Sequence, residues 1–122
     1  MPNEPILDDA TIQQRLSDSL PRWTHAAGHL ERRYRTHGWK STLMVVNAIG
    51  HLAEAAWHHP ELSVAYDNVT VRLMTHSAQG ITDKDVELAR KIEETVRWRP
   101  GADSALEGTP DDPRYAYLDE DA

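Results

Sequence analysis

Three histidines and two acids are spaced along this chain so that folding could gather them at one acid/base site. Glu54 stands four residues before His58; His58 and His59 are neighbours followed by Pro60; Tyr66, His76 and Asp85 come after in that order. Imidazole has an ordinary pKa of about 6.5, so it both gives and takes protons near neutral pH. A fold that brings the His58–His59 stretch beside His76 would make an acid/base pocket.

The elements that must position these residues are legible in part. A long helix is expected from about Gly38 to Trp57, because Leu43, Val46, Gly50, Ala53 and Trp57 recur at three-and-four spacing, with Val45, Ile49 and Leu52 widening the stripe. Gly50 in mid-helix costs up to about 1 kcal/mol relative to alanine, which suggests a close contact there. Pro60 stops the helix, since the residue before a proline is pushed out of the α region. Glu54 and His58, four apart, then share one helix face, and the cluster begins at a helix C-terminus, where the dipole favours an imidazolium.

Leu62 to Tyr66 reads as a short strand, Asp67-Asn68 as a turn, and Val69 to His76 as a second strand with Val69, Val71 and Leu73 on one face. Thr82 and Asp85 have the form of a capping box opening a last helix marked by Val86, Ala89, Ile92 and Val96. Upstream, Asp8-Asp9 opens a short helix carrying Leu7, Ile12, Leu16 and Leu20. Two strand-like pieces then flank Ala27-Gly28, with Leu30, Tyr34 and Arg32 sharing a face at period two. The order α-β-β-α-β-β-α implies an α+β domain, a four-stranded antiparallel sheet with helices packed on one face.

At 122 residues the chain is one domain by length. It divides into a body, residues 1–98, and an acidic C-terminal extension, residues 99–122. The extension holds seven acids (Asp103, Glu107, Asp111, Asp112, Asp119, Glu120 and Asp121) against Arg99 and Arg114, net −5 of the chain's −7. The body is therefore nearly neutral, and no basic stripe argues for direct nucleic-acid binding. Cysteine is absent, which excludes a disulfide framework, thiolate-bound zinc and a thiol nucleophile, and is compatible with a cytoplasmic setting. Met1 to Pro5 has no signal-peptide pattern, and no apolar run is long enough to span a membrane. Tyr115 to Leu118 is apolar enough to dock as a short strand or to clamp a neighbouring subunit.

Laid out this way, the chain resembles the pterin-4a-carbinolamine dehydratase family over about residues 7 to 98. The family pattern is an acid, three residues, His-His-Pro, an aromatic, a later His and then an Asp; here it reads Glu54, His58-His59-Pro60, Tyr66, His76 and Asp85. The resemblance implies dehydration of 4a-hydroxytetrahydropterin to quinonoid dihydropterin, a step in tetrahydrobiopterin recycling. It also implies a homo-oligomer (dimer or tetramer), no metal and no organic cofactor. In that reading His58, His59 and His76 are the catalytic residues, while Glu54, Pro60, Tyr66 and Asp85 bind substrate or support the pocket. Two features depart from the family: the chain has no phenylalanine where the family has several, and the extension follows the last helix. Such a tail looks like the dehydratase-like Rubisco assembly factors of autotrophic bacteria, some carboxysome-associated and regarded as chaperones. That alternative makes the Rubisco large subunit the partner.

Plainer readings stand beside these. Asp85 is equally the N3 member of a capping box, and Glu54 a solvated helix residue. Tyr66 and Trp57 read as core aromatics, and a lone histidine at a strand end is ordinarily structural. Histidines and carboxylates also suit zinc, but adjacent side chains at a helix end diverge by about 100°, so His58 and His59 are a poor chelating pair.

Overall fold

The computed structural model describes residues 5–119; Met1 to Glu4 and Glu120 to Ala122, which include two of the extension's acids, lie outside them. The elements are α1 (Asp9–Ser19), β1 (Thr24–Ala26), β2 (His29–Arg35), α2 (Trp39–Ala56), β3 (Glu61–Ala65), β4 (Asn68–Leu73), α3 (Asp83–Val96) and a 3-10 turn at Pro113–Tyr115. The strands form one antiparallel sheet in the order β1-β2-β4-β3. This is an α+β fold. No helix among the described residues is long and apolar enough to cross a membrane.

Strand alternation decides the layering. Register pairs Leu30 with Leu73, Arg32 with Val71 and Tyr34 with Val69, so these six side chains share one face, and all are buried. Ile12 and Leu16 from α1 with Leu20 just after it, Val45 and Ile49 from α2, and Val86, Ala89, Ile92 and Val96 from α3 complete the core against them. On the opposite face polar pairs meet across strands: Arg72 donates to Glu31 and to Ser63, each at 3.1 Å.

Local chemistry sets the helix ends. Asp8 caps α1 by accepting from the Thr11 N–H at 2.8 Å, and Thr82 with Asp85 forms the expected capping box of α3. The stripe expected on α2 is rotated. Its buried centre is Thr42, Val45, Ile49 and Ala53, while Leu43 and Trp57 are exposed. Gly50 faces open space, with nothing within 4 Å of where a Cβ would stand, so the close contact expected there is absent. The second long strand also ends early, at Leu73, because Thr75 leaves the ladder and closes a turn on Gly80.

One ionic cluster sits inside the core. Glu93 on α3 accepts from Trp23 Nε1 at 3.0 Å, Tyr34 Oη at 2.6 Å, and Arg32 Nε at 3.0 Å. The Arg32 guanidinium also lies 4.1 Å from the centroid of the Tyr34 ring. In a chain without phenylalanine, its two buried core aromatics each carry a polar hydrogen, and both hydrogens end on this carboxylate. Burial pushes the Glu93 carboxyl up, but the hydrogen bonds and charge of Arg32, with those of Tyr34 and Trp23, outweigh it and hold it below the ordinary glutamate value. The stability it contributes is thus present above an ordinary glutamate pKa of about 4.3 and lost as pH falls through the lowered folded value. Glu93→Gln is expected to cost about 3 kcal/mol at pH 7 in urea unfolding, with a flatter acid limb of stability against pH. Superimposable acid limbs for the two proteins would refute this assignment.

Candidate active site

The helix carrying Glu54 does not run into Pro60. It ends three residues earlier, where Trp57 adopts a left-handed conformation with φ 55° and ψ 47°. The His58 N–H then reaches back to the Ala53 carbonyl at 3.1 Å and the Trp57 N–H to the Glu54 carbonyl at 3.3 Å, the paired bonds of a Schellman end. Glycine ordinarily fills that position; for a bulky residue the left-handed region costs roughly 1–2 kcal/mol. The reversal carries His58 off the helix. Glu54 and His58 therefore do not form the helix-face pair expected from their spacing.

His58 turns inward instead. Its Nε2 lies 2.7 Å from Asp85 Oδ1, with the imidazole 14% exposed and the carboxylate fully buried. The other oxygen, Oδ2, accepts from Thr75 Oγ1 at 2.7 Å and from the Thr82 N–H at 2.9 Å. Hydroxyl directions follow in sequence: the Lys84 N–H donates to Thr82 Oγ1, which donates to Thr75 Oγ1, which donates to Asp85. A carboxylate only accepts, so the His58 proton on that side sits on Nε2 and Nδ1 is left to face elsewhere.

His59 finds a different acid. Its Nε2 lies 3.0 Å from Glu54 Oε1, both side chains being largely exposed, and its ring meets the Trp57 indole edge-on at 5.0 Å between centroids. Held this way, neutral His59 presents Nδ1 as a base, and its protonated form presents Nδ1–H as an acid. His76 is exposed in the turn after Thr75, and its imidazole has no hydrogen bond or ion pair among the described residues. One carboxylate thus bridges the residue before His59 to the residue before His76. No direct contact joins the three imidazoles.

Tyr66 is elsewhere. β3 runs back along α2, so the Tyr66 carbonyl accepts from Thr42 Oγ1 at 2.9 Å near the start of that helix. Sixteen residues of chain separate Thr42 from His58, about 24 Å at the helical rise. Pro60 is half-buried where the chain enters β3. Beside His58 a cavity of about 610 Å³ lies between the two helices, bounded by Ala56, Trp57 and His58 on one side and Lys84, Leu88 and Lys91 on the other. His59 and His76 are not among its lining residues. No group of three His, Asp or Glu side chains among the described residues is arranged to hold a metal ion.

Thr75 and its chain of hydroxyls carry no motif in the sequence. The available signal was a threonine between Met74 and His76, a β-branched polar residue at the strand end facing the capping box.

Comparison with known proteins places the chain in a family and agrees with the fold. The pterin 4 alpha carbinolamine dehydratase family profile matches residues 5–95, and the chain belongs to that family. A protein of Aquifex aeolicus provisionally named a pterin-4-alpha-carbinolamine dehydratase is 42% identical over 91 residues, covering 75% of this chain and 91% of that protein. One of the same provisional name from Thermomicrobium roseum is 41% identical over 88 residues, covering 72% of this chain and 94% of that protein. The crystal structure of a transcriptional coactivator/pterin dehydratase from Brucella melitensis is similar with a TM-score of 0.69 at 25% identity, over 77% of this chain and 100% of that one.

Asp85 can be tested separately from activity. Asp85→Ala leaves the Thr82 N–H, the Thr75 hydroxyl and His58 without their shared acceptor, and is expected to cost about 2–4 kcal/mol in denaturant unfolding. In the native protein, nitrogen NMR is expected to find His58 protonated at Nε2; a proton on Nδ1 alone would contradict the hydrogen-bond directions given above.

Proposed function

We propose that this chain dehydrates a 4a-hydroxytetrahydropterin to the quinonoid dihydropterin by histidine acid/base catalysis. The C4a–O bond breaks, an imidazolium hands its proton to the departing hydroxyl, and a neutral imidazole takes a proton from the ring. Water leaves, the electron pair of the ring N–H becomes the new double bond to C4a, and no atom changes oxidation state, so the step calls for no redox partner. The observation that carries the reading is the buried Asp85 carboxylate, which ties His58 to Thr75 and so holds His59 and His76 on two segments fastened together.

His59 and His76 take the proton-transfer roles, since both imidazoles are exposed and His59 is oriented by Glu54. His58, engaged by Asp85, is a positioning residue. Tyr66, a helix length away, has no part in proton transfer within one chain. A homo-oligomer is supported by β3, whose outer edge pairs with no strand among the described residues and whose Val64 is exposed. Such an assembly, in a cytoplasmic setting, belongs to the same proposal.

A second reading, a Rubisco assembly factor associated with the carboxysome, draws on the extension, whose acids Asp103, Glu107 and Asp111 are all exposed and carry no other evident task. In that case the partner is the Rubisco large subunit and catalysis is dispensable.

Purified protein is expected to accelerate loss of the 4a-hydroxypterin, and His59→Ala or His76→Ala to lower kcat by about 10²–10⁴-fold each. Inactivity of the native protein would remove the enzyme reading. For the second reading, co-expression with a cognate Rubisco is expected to raise holoenzyme yield, and to do so less when the three exposed acids are replaced by their amides. An unchanged yield would exclude it.

A further inference from the structure

At the other end of α2 from the histidines, the extension folds over a second cavity. It measures about 590 Å³ and is lined by Trp39, Lys40, Ser41 and Tyr66 from the matched domain, with Arg114 and Tyr117 from the extension. No aspartate or glutamate is among its lining residues, in a chain of net charge −7. Arg114 is anchored by Asp112 at 2.8 Å and lies 5.4 Å from the Tyr115 ring centroid.

The floor of this cavity is the start of an 18-residue helix whose cap is Gly38, at φ 127°. Glycine has no side chain to offer the first turn, and none caps it. The N–H groups of Trp39, Lys40 and Ser41 have no acceptor among the described residues. A second observation points the same way. Ser41 is 8% exposed, lines the cavity, and its hydroxyl has no hydrogen-bond partner among the described residues. A buried hydroxyl ordinarily finds a partner, since leaving it bare costs free energy. A serine at the foot of a helix could donate to its own preceding turn, as Ser19 does to the Arg15 carbonyl at 3.2 Å. Ser41 does not.

We propose that this cavity binds a small planar organic anion, a phosphate or carboxylate borne on a flat ring. The anionic group sits on the free N–H groups of the first turn, accepts from Ser41 Oγ and pairs with Lys40, where the helix dipole also favours negative charge. The ring lies among Trp39, Tyr66 and Tyr117. The proposal is independent of the dehydratase reading: His58, His59 and His76 take no part, and five of the twelve lining residues lie beyond the family match, which ends at residue 95. The extension is then a wall of a binding site that the matched domain alone lacks.

The full-length protein would be titrated with phenyl phosphate, benzoate, inorganic phosphate and neutral benzyl alcohol, following the amide resonances of residues 39 to 41 and the Trp39 indole. Phenyl phosphate or benzoate is expected to bind saturably and move those signals, inorganic phosphate to bind more weakly, and benzyl alcohol to leave them still. Ser41→Ala, which suits a helix, is expected to weaken binding about fivefold, and Lys40→Gln severalfold with a reduced salt dependence. Stronger binding of phenyl phosphate than benzoate would assign the phosphate, and the reverse the carboxylate. Absence of shifts with either anion at roughly 10 mM, or equal affinity in the native and both variant proteins, would overturn the proposal.

Discussion

A carboxylate with no access to water must be answered by donors, and Asp85 draws its three from three separate segments. His58 follows α2, Thr75 follows β4, and the Thr82 N–H opens α3. An ion removed from water is tolerated only when its lone pairs are filled with good geometry. Satisfying Asp85 therefore fixes where those segments stand relative to one another. The imidazoles of His59 and His76 inherit their positions from that requirement, each being the next residue along from one of the donors. The same carboxylate completes the capping box, so the reading of Asp85 as a cap and its reading as a site residue describe one atom group with two consequences.

Glu93 does the corresponding work two turns and more along α3. Where Asp85 binds that helix to the end of α2, Glu93 binds it to the sheet through Arg32, Tyr34 and Trp23. A single helix thus carries two buried or half-buried acids, one at its start and one near its end, and both are bound by donors from elsewhere in the chain. The lack of phenylalanine bears on this directly. A phenyl ring in place of Tyr34 would fill space and ask nothing of Glu93; tyrosine and tryptophan fill space and require an acceptor, which gives the core a directional element that apolar packing alone does not supply.

Period-two patterning in β2 and β4 was enough to place Leu30, Tyr34, Val69, Val71 and Leu73 on one face, and capping chemistry marked the starts of α1 and α3. The motif spacing located the histidines near two element ends. What periodicity did not carry was direction at those ends. The helix ends near Trp57 as expected, but Trp57 takes a conformation ordinarily given to glycine, so His58 leaves the helix face it would share with Glu54 and meets Asp85, while His59 meets Glu54. The buried stripe on α2 is turned from the apolar one by a fraction of a turn because Thr42 is buried through hydrogen bonds to Thr36 and the Tyr66 carbonyl, a fact invisible to a count of apolar residues. The motif groups Tyr66 with the histidines, but a strand that doubles back along a helix separates residues close in sequence.

The extension divides into two parts by the same kind of reasoning. β1 is only three residues long and pairs with β2 as far as Glu31, which would leave the rest of that edge of β2 open. The chain closes the far end of it with its own tail: the Asp119 N–H donates to the Arg35 carbonyl at 2.9 Å, the His37 N–H to the Tyr117 carbonyl at 3.2 Å, and Leu118 is buried opposite Thr36. An open strand edge invites pairing with another chain, and covering it removes that hazard. The tail's apolar end is therefore committed to its own domain, in place of clamping a neighbour through this contact. Its acidic middle, between Asp103 and Asp111, is held at both ends and exposed throughout, a tethered loop of negative charge in place of a free arm. Any partner that reads those acids meets them on a loop whose ends are fixed, so its recognition would lose less chain entropy than the capture of a free tail.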